Sequence, residues 1–206
     1  MESGGTEGVD GVTEPKVVIY LMRHGRTALN AHGQLRGHLD PPLDKVGIGE
    51  AQALGRAFAD IDVGAVVSSP LRRARQTAAP IAASRQLTVE CDDRLIDRDY
   101  GPWAGKTADE LLRRFGSIDD APEVEPRTSL LDRALDAVMS LANAAGPRPV
   151  AVVAHDIVNR LVISRLVPEV GAADSIPQRT GCLNRLERLD GRWSAPIVDA
   201  VPSPRT

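Results

Sequence analysis

Two apolar runs limit the possible fold more than any other feature of this chain. VVIYLM (Val17 to Met22) and PVAVVA (Pro149 to Ala154) are short, continuous and rich in β-branched residues. A strand with one face in water alternates apolar and polar residues, whereas an unbroken apolar strand has to be covered on both faces. Neither run is long enough to cross a bilayer. Helical periodicity lies between them. Ala51, Leu54, Gly55 and Phe58 fall at i, i+3, i+4 and i+7, and Leu131, Ala134, Leu135, Val138 and Leu141 repeat the pattern. This predicts helices over about 45–60 and 128–145, the second stopped by Gly146 and Pro147. Alternating strands and helices make an α/β domain: a three-layer α/β/α sandwich around a mainly parallel sheet.

Weaker signals fill in the rest. Ala65 to Val67 reads as a strand, and Ser69 before Pro70 as the start of a helix. Leu87 to Cys91 is a further strand, and Thr107 and Glu110 are spaced as the capping box of a short helix ending near 115. Residues 119–127 form an acidic, proline-containing loop. A helix is expected over 156–167, and a hairpin over Leu183–Leu189 and Trp193–Val198 turning at Asp190-Gly191. A chain of 206 residues suits one domain, here 16–200, with flexible tails at 1–15 and 201–206.

The segment 1–15 lacks the basic region and apolar core of a signal peptide, and Cys91 and Cys182 have neither metal-site nor disulfide-framework spacing. A cytoplasmic monomer or homodimer without a membrane partner is expected. The formal charge of −3, from 25 basic and 28 acidic residues, weighs against a nucleic-acid partner. Among the basic residues, arginine outnumbers lysine 22 to 3, which suits a protein that handles oxyanions through planar forks of donors.

In doubly covered sheets the ligand sits beyond the carboxyl ends of the strands. The first run ends in Arg23-His24-Gly25, the second in His155. The strand at 65–67 ends in Ser68-Ser69-Pro70, with Arg73 one turn further on. Two histidines and two arginines therefore share one sheet edge. Arginine repels a metal cation, so no metal or other cofactor is expected there. The same forks match phosphate oxygens, and a neutral imidazole beside them can attack phosphorus.

These residues resemble the histidine phosphatase superfamily, the phosphoglycerate-mutase-like fold. Arg23-His24-Gly25 with Thr27 and Asn30 is similar to its R-H-G-x-T-x-x-N signature. Gly37, Asp40, Pro42-Leu43 and Gly47 resemble its G-x-x-D-x-P-L-x-x-x-G. Ser68-Ser69-Pro70-Leu71, Arg73-Ala74 and Gln76-Thr77-Ala78 match its S-S-P-L-x-R-A-x-Q-T-A, and Leu95, Tyr100-Gly101, Trp103 and Gly105 resemble its acid-bearing loop. The resemblance implies that His24 accepts the phosphoryl group and that Arg23, Arg73 and His155 hold its oxygens, with Asn30 on the same phosphate. It places the proton donor at Asp97, with Asp99 as a rival. Asp97 departs from the commoner Glu, as do Arg26 from Glu or Gln, Asp156 from the Gly usual after the second histidine, and Arg127-Thr128-Ser129 from Gly-Glu-Ser.

The implied activity is hydrolysis of a small anionic phosphorylated metabolite, with inorganic phosphate as product. Only 57 residues separate Asp97 from His155, where the mutases carry a longer insertion. Mutase-type transfer and a non-catalytic phosphate-binding protein are the alternatives. Arg36 and Arg98, with Arg26, are candidates for the pocket mouth, and His38 for a substrate contact.

Overall fold

The computed structural model of the chain describes residues 16–203. The tail expected at 1–15, and the last three residues of the one expected at 201–206, lie outside them. Six strands form one sheet: β1 (Val17–Arg23), β2 (Ala65–Ser68), β3 (Val89–Cys91), β4 (Val150–Ala154), β5 (Leu183–Leu189) and β6 (Arg192–Ala200). Their order is β3-β2-β4-β1-β5-β6. The first four in that order run parallel, and β5 and β6 join as an antiparallel hairpin beside β1.

The two unbroken apolar runs are the adjacent central strands β1 and β4, in register from Ile19↔Val150 to Arg23↔Ala154. Alternate residues face opposite layers. Ile19, Leu21, Val152 and Ala154 pack with Leu130, Ala134 and Val138 of α5 (Arg127–Ala144) and Val158 and Val162 of α6 (Asp156–Leu166). Tyr20, Met22, Ala151 and Val153 pack with Leu54 of α2 (Lys45–Ala57) and Ala74, Ala78 and Ile81 of α3 (Arg72–Ser84). Each fully buried large aliphatic side chain stabilises the fold by about 1.5–3 kcal/mol, so a polar residue on either face of these strands would be costly.

Other elements follow from local chemistry. The short helix α4 (Ala108–Phe115) starts at its capping box: Thr107 Oγ1 accepts from the Glu110 N–H, and the Glu110 carboxylate accepts from the Thr107 N–H. The β5–β6 turn places both Asp190 (φ +49°) and Gly191 (φ +74°) in the left-handed region, the twist a two-residue hairpin needs. A single turn, α1 (Ala28–Ala31), is an addition to the expected elements.

The helix expected to start at Ser69 begins later, at Arg72, and no side chain at Leu71 caps it. Asp40, distant in sequence, accepts from the Arg72 N–H at 2.6 Å and does that work. The Ser69 hydroxyl lies against His155 instead. No helix among the described residues is long and apolar enough to cross a membrane.

Candidate active site

The parallel pairing brings the carboxyl ends of β2, β4 and β1 side by side. Arg23 is the last residue of β1 and His24 follows it; His155 follows β4, and Ser69 follows β2. The His24 N–H donates to the Ala154 carbonyl at 3.1 Å, and the Ser69 N–H to the Val153 carbonyl at 2.9 Å, so the turns stay in step with the sheet. The two imidazoles lie 5.2 Å apart between ring centres. Gly25 and Gly47 let the backbones of the first turn and of α2 meet. A Cβ on Gly47 would come within 2.0 Å of the Arg26 carbonyl oxygen, and one on Gly25 within 2.6 Å of the Gly47 carbonyl oxygen. The Gly25 N–H donates to Thr77 Oγ1 at 2.9 Å, and Thr77 donates in turn to the Arg73 carbonyl, tying the turn to α3.

His24 is fully buried. Its Nδ1 lies 2.7 Å from the Gly25 carbonyl oxygen, which can only accept, so Nδ1 carries the hydrogen and Nε2 a lone pair. Burial, then the charges of His155, Arg73, Arg23 and Arg36, hold its pKa well below the ordinary histidine value. The ring is therefore neutral at neutral pH. His155 is fully buried too, and burial followed by Arg73, Arg36 and Arg23 depresses it in the same sense. Its Nε2 lies 2.8 Å from Ser69 Oγ, which takes a long hydrogen bond from the Leu71 N–H at 3.4 Å. The Asp97 carboxylate 3.7 Å from Nδ1 favours the tautomer with the His155 hydrogen on Nδ1, facing the site, and the Ser69 hydroxyl then donates to Nε2.

Arg73, 0% exposed, donates from Nη1 to the Leu39 carbonyl at 2.7 Å and from Nη2 to the Gly37 carbonyl and Asp97 Oδ2, each at 2.9 Å. Arg23 Nη1 bonds the Gln178 carbonyl and pairs with Asp156 Oδ2 at 2.9 Å. Seven buried side-chain polar atoms lack a hydrogen-bond partner among the described residues. Five of them are Arg23 Nε, Arg36 Nε, Arg73 Nε, His24 Nε2 and His155 Nδ1. Buried polar groups are almost always paired. Four donors and one lone pair left over around one sheet edge mark a place built for an anion whose central atom meets the lone pair.

Asp97 is buried, its Oδ1 accepting from the Arg98 N–H at 2.9 Å and its Oδ2 lying 3.7 Å from His155 Nδ1. Asp99 lies on the solvent side, its Oδ1 accepting from the Gly101 N–H and its side chain 49% exposed. The structure thus brings Asp97, and not Asp99, to the arginines and histidines. Arg36 comes with them: it is half-buried, and its charge acts on both histidines and on Arg23 and Arg73. Asn30 closes the capping box of α1, its Oδ1 accepting from the Thr27 N–H and hydroxyl, so only its amide NH₂ is left to face a ligand.

Arg98 corrects the reading of the pocket mouth. Its Nε donates to the Glu125 carbonyl at 2.8 Å and its Nη1 pairs with Asp119 Oδ1 at 2.7 Å, so the buried guanidinium clamps the acidic loop. Arg26 is likewise held by Asp44. His38 donates from Nε2 to the Asp97 carbonyl at 3.0 Å, making it a contact of the acid-bearing loop. Three participants escaped sequence reasoning: Ser69 as the partner of His155, Arg133 behind Asp97, and Gln178, whose carbonyl grips Arg23 and whose amide bonds Asn184 and Asn159. Gln178 lies in the polar stretch Asp174-Ser175-Ile176-Pro177-Gln178-Arg179-Thr180, where nothing local marks it out or reveals its partners. Among the described residues no group of three or more His, Cys, Asp or Glu side chains is placed to share a metal ion.

Comparison with known proteins gives a consistent picture. The family model described as histidine phosphatase superfamily (branch 1) matches residues 19–198. A Bacillus subtilis (strain 168) protein named uncharacterized phosphatase PhoE is 29% identical over 179 residues, spanning 85% of this chain and 90% of its own. A Yersinia pestis (strain Pestoides F) protein named probable phosphoglycerate mutase GpmB is 29% identical over 191 residues, 86% of this chain and 87% of its own. The solved structure of Bacillus stearothermophilus YhfR superposes with a TM-score of 0.81 at 26% identity, covering 91% of this chain and 98% of that one.

Proposed function

Because the chain belongs to branch 1 of the histidine phosphatase superfamily, we propose that it hydrolyses small phosphomonoesters through a phosphohistidine on His24. The observation that carries this reading is His24 Nε2: buried, unprotonated, unpartnered, and ringed by the free donors of Arg23, Arg36, Arg73 and His155. The Nε2 lone pair attacks phosphorus. The bond to the leaving oxygen breaks as Asp97, in its acid form, gives that oxygen a proton. The carboxylate of Asp97 then takes a proton from water, whose oxygen attacks the phosphohistidine and frees inorganic phosphate. The guanidinium groups neutralise charge on the transferring group, most of what phosphoryl transfer requires of a protein. An entering phosphoryl group competes with the Asp97 carboxylate for Arg73 Nη2.

Hydrolysis is favoured over transfer to a second acceptor because solvent comes up to the acid-bearing loop. Beside Asp97, the side chains of His38 and Asp99 are 43% and 49% exposed. The span to His155 holds α4, the acidic loop, α5 and β4. The test is phosphate release from 4-nitrophenyl phosphate and a panel of small phosphomonoesters in the presence of EDTA. Arginines supply the charge, so release should persist. Loss of activity in EDTA with recovery on adding magnesium would refute the mechanism. Binding without release would leave a phosphate-binding protein, and isomerised product without release would leave a mutase.

A further inference from the structure

The proton donor sits on irregular backbone. Asp97 belongs to no helix or strand, yet a general acid has to be held to a fraction of an ångström. Its side-chain bonds to Arg73 and to its neighbour's N–H orient the carboxyl, but they do not fix the backbone that carries it. His38 touches that backbone at the Asp97 carbonyl from the solvent side, and one side chain from α5 holds it at three points. Arg133 Nη1 donates to the carbonyls of Arg94 at 2.8 Å and Ile96 at 2.6 Å, and Nη2 to the carbonyl of Asp97 at 3.0 Å. The other edge of the same guanidinium forks onto Glu125, with Nε 2.8 Å from Oε1 and Nη2 2.9 Å from Oε2. Glu125 continues the clamp: its Oε2 accepts from the Asp99 N–H at 3.1 Å, and its own N–H donates to the Asp99 carbonyl at 2.8 Å. Each of the three guanidinium nitrogens is engaged, so none of them is left to reach a substrate.

We propose that Arg133, braced by Glu125, is a positioning residue that registers the Asp97 loop against the rigid helix α5 and so sets the reach of the proton donor. The placement matters more here than in a chain with Glu at this position. The aspartate side chain is shorter by one carbon–carbon bond, about 1.5 Å, so the backbone must bring the carboxyl closer and has less slack to correct an error. Lysine cannot replace this arginine, because an ammonium is a point donor and cannot span three carbonyls and a carboxylate at once. With its donors taken up by Glu125 and the loop carbonyls, Arg133 differs from the arginines facing phosphate, although its charge also acts on the His155 ring.

This inference rests on the reading of Asp97 as the acid, and its test separates the two. Alkoxide leaving groups need the proton; nitrophenolate hardly does. Arg133→Lys should lower kcat/KM, which reports only the steps up to the phosphohistidine and so excludes the later water-activating role of Asp97, by roughly 10–100-fold for glycerol 2-phosphate, part of the 10²–10⁴ that general acid catalysis supplies, and by no more than about threefold for 4-nitrophenyl phosphate. Glu125→Gln, which loosens the fork without removing it, should show the same pattern more weakly and covers the case in which Arg133→Lys does not fold. A purely structural role would slow both substrates alike, through less folded enzyme, and that outcome overturns the proposal. Asp97→Asn, measured alongside, decides where a failure lies. If Asp97→Asn discriminates between the substrates and neither clamp variant does, the positioning role is wrong. If Asp97→Asn does not discriminate either, the assignment of the acid is wrong, and the positioning role falls with it.

Discussion

Lowering the pH should destabilise this protein well before its carboxylates titrate, because two imidazoles are folded in neutral form. His24 and His155 are both fully buried, and burial with the surrounding arginines holds both pKa values well below the ordinary one. The unfolded chain takes up protons at these rings near pH 6.5 while the folded chain does not, so stability falls as pH falls below that value. Between pH 7 and pH 5 each ring that stays neutral in the fold costs about 2 kcal/mol, or about 4 kcal/mol for the pair. For a domain of this size that corresponds to a drop in Tm of roughly 8–16 °C. Carboxylates held below their usual range, such as Asp92 bonded by Arg94, lose their contribution only as pH falls toward and through about 4, so the interval isolates the histidines. The assay is thermal unfolding at the two pH values for the native protein and for a His24→Gln, His155→Gln double variant. The exposed His32 and His38 are common to both. The variant should lose most of the drop; an equal drop in the two proteins would refute the claim that the site holds both rings neutral.

Three further outcomes follow from the geometry. Asp97→Asn should lower kcat/KM for alkyl phosphates by roughly 100-fold or more and for 4-nitrophenyl phosphate far less, whereas Asp99→Asn should affect both mildly; a reversed pattern in kcat/KM would move the acid to Asp99. Ser69→Ala removes the hydroxyl that bonds His155 Nε2, one hydrogen bond of about 0.5–1.5 kcal/mol, or roughly 2–12-fold in kcat/KM. Ser69→Thr should keep most of the activity, and full activity in Ser69→Ala would show that the ring needs no such partner. Arg98→Ala should lower Tm by loosening the acidic loop and leave KM for small phosphate esters close to native, because its guanidinium is taken up by Glu125 and Asp119; a large rise in KM would return Arg98 to the pocket.

The parts legible in the sequence were those written as periodicity or as local spacing. Unbroken apolar runs announced β1 and β4 as central strands, and Thr107 with Glu110 announced the start of α4. Placing His24, Arg73 and His155 at one edge needed only the rule that parallel strands present their carboxyl ends together. What stayed hidden depends on distance. Arg98 read as a free cation because nothing local shows that Asp119 and Glu125 fold back over it. Ser69 read as a helix cap because the cap pattern is local, while its actual partner lies 86 positions away. Arg133 looked like one of many polar residues on an amphipathic helix, and only the closed fold shows it reaching back to the carbonyls around Asp97. Charge in a sequence identifies a donor; it does not say which acceptor the fold will bring to it.

The central claim is that His24 Nε2 takes the phosphoryl group. The direct measurement is rapid acid-free quenching of the enzyme during turnover of 4-nitrophenyl phosphate, followed by phosphorus and nitrogen NMR of the trapped protein. The prediction is a phosphohistidine at Nε2 of His24, lost on acid treatment, absent in His24→Ala, and formed and discharged fast enough to account for turnover. A phosphoryl group on another residue, or on Nδ1 of His24, or steady turnover by His24→Ala, would contradict it.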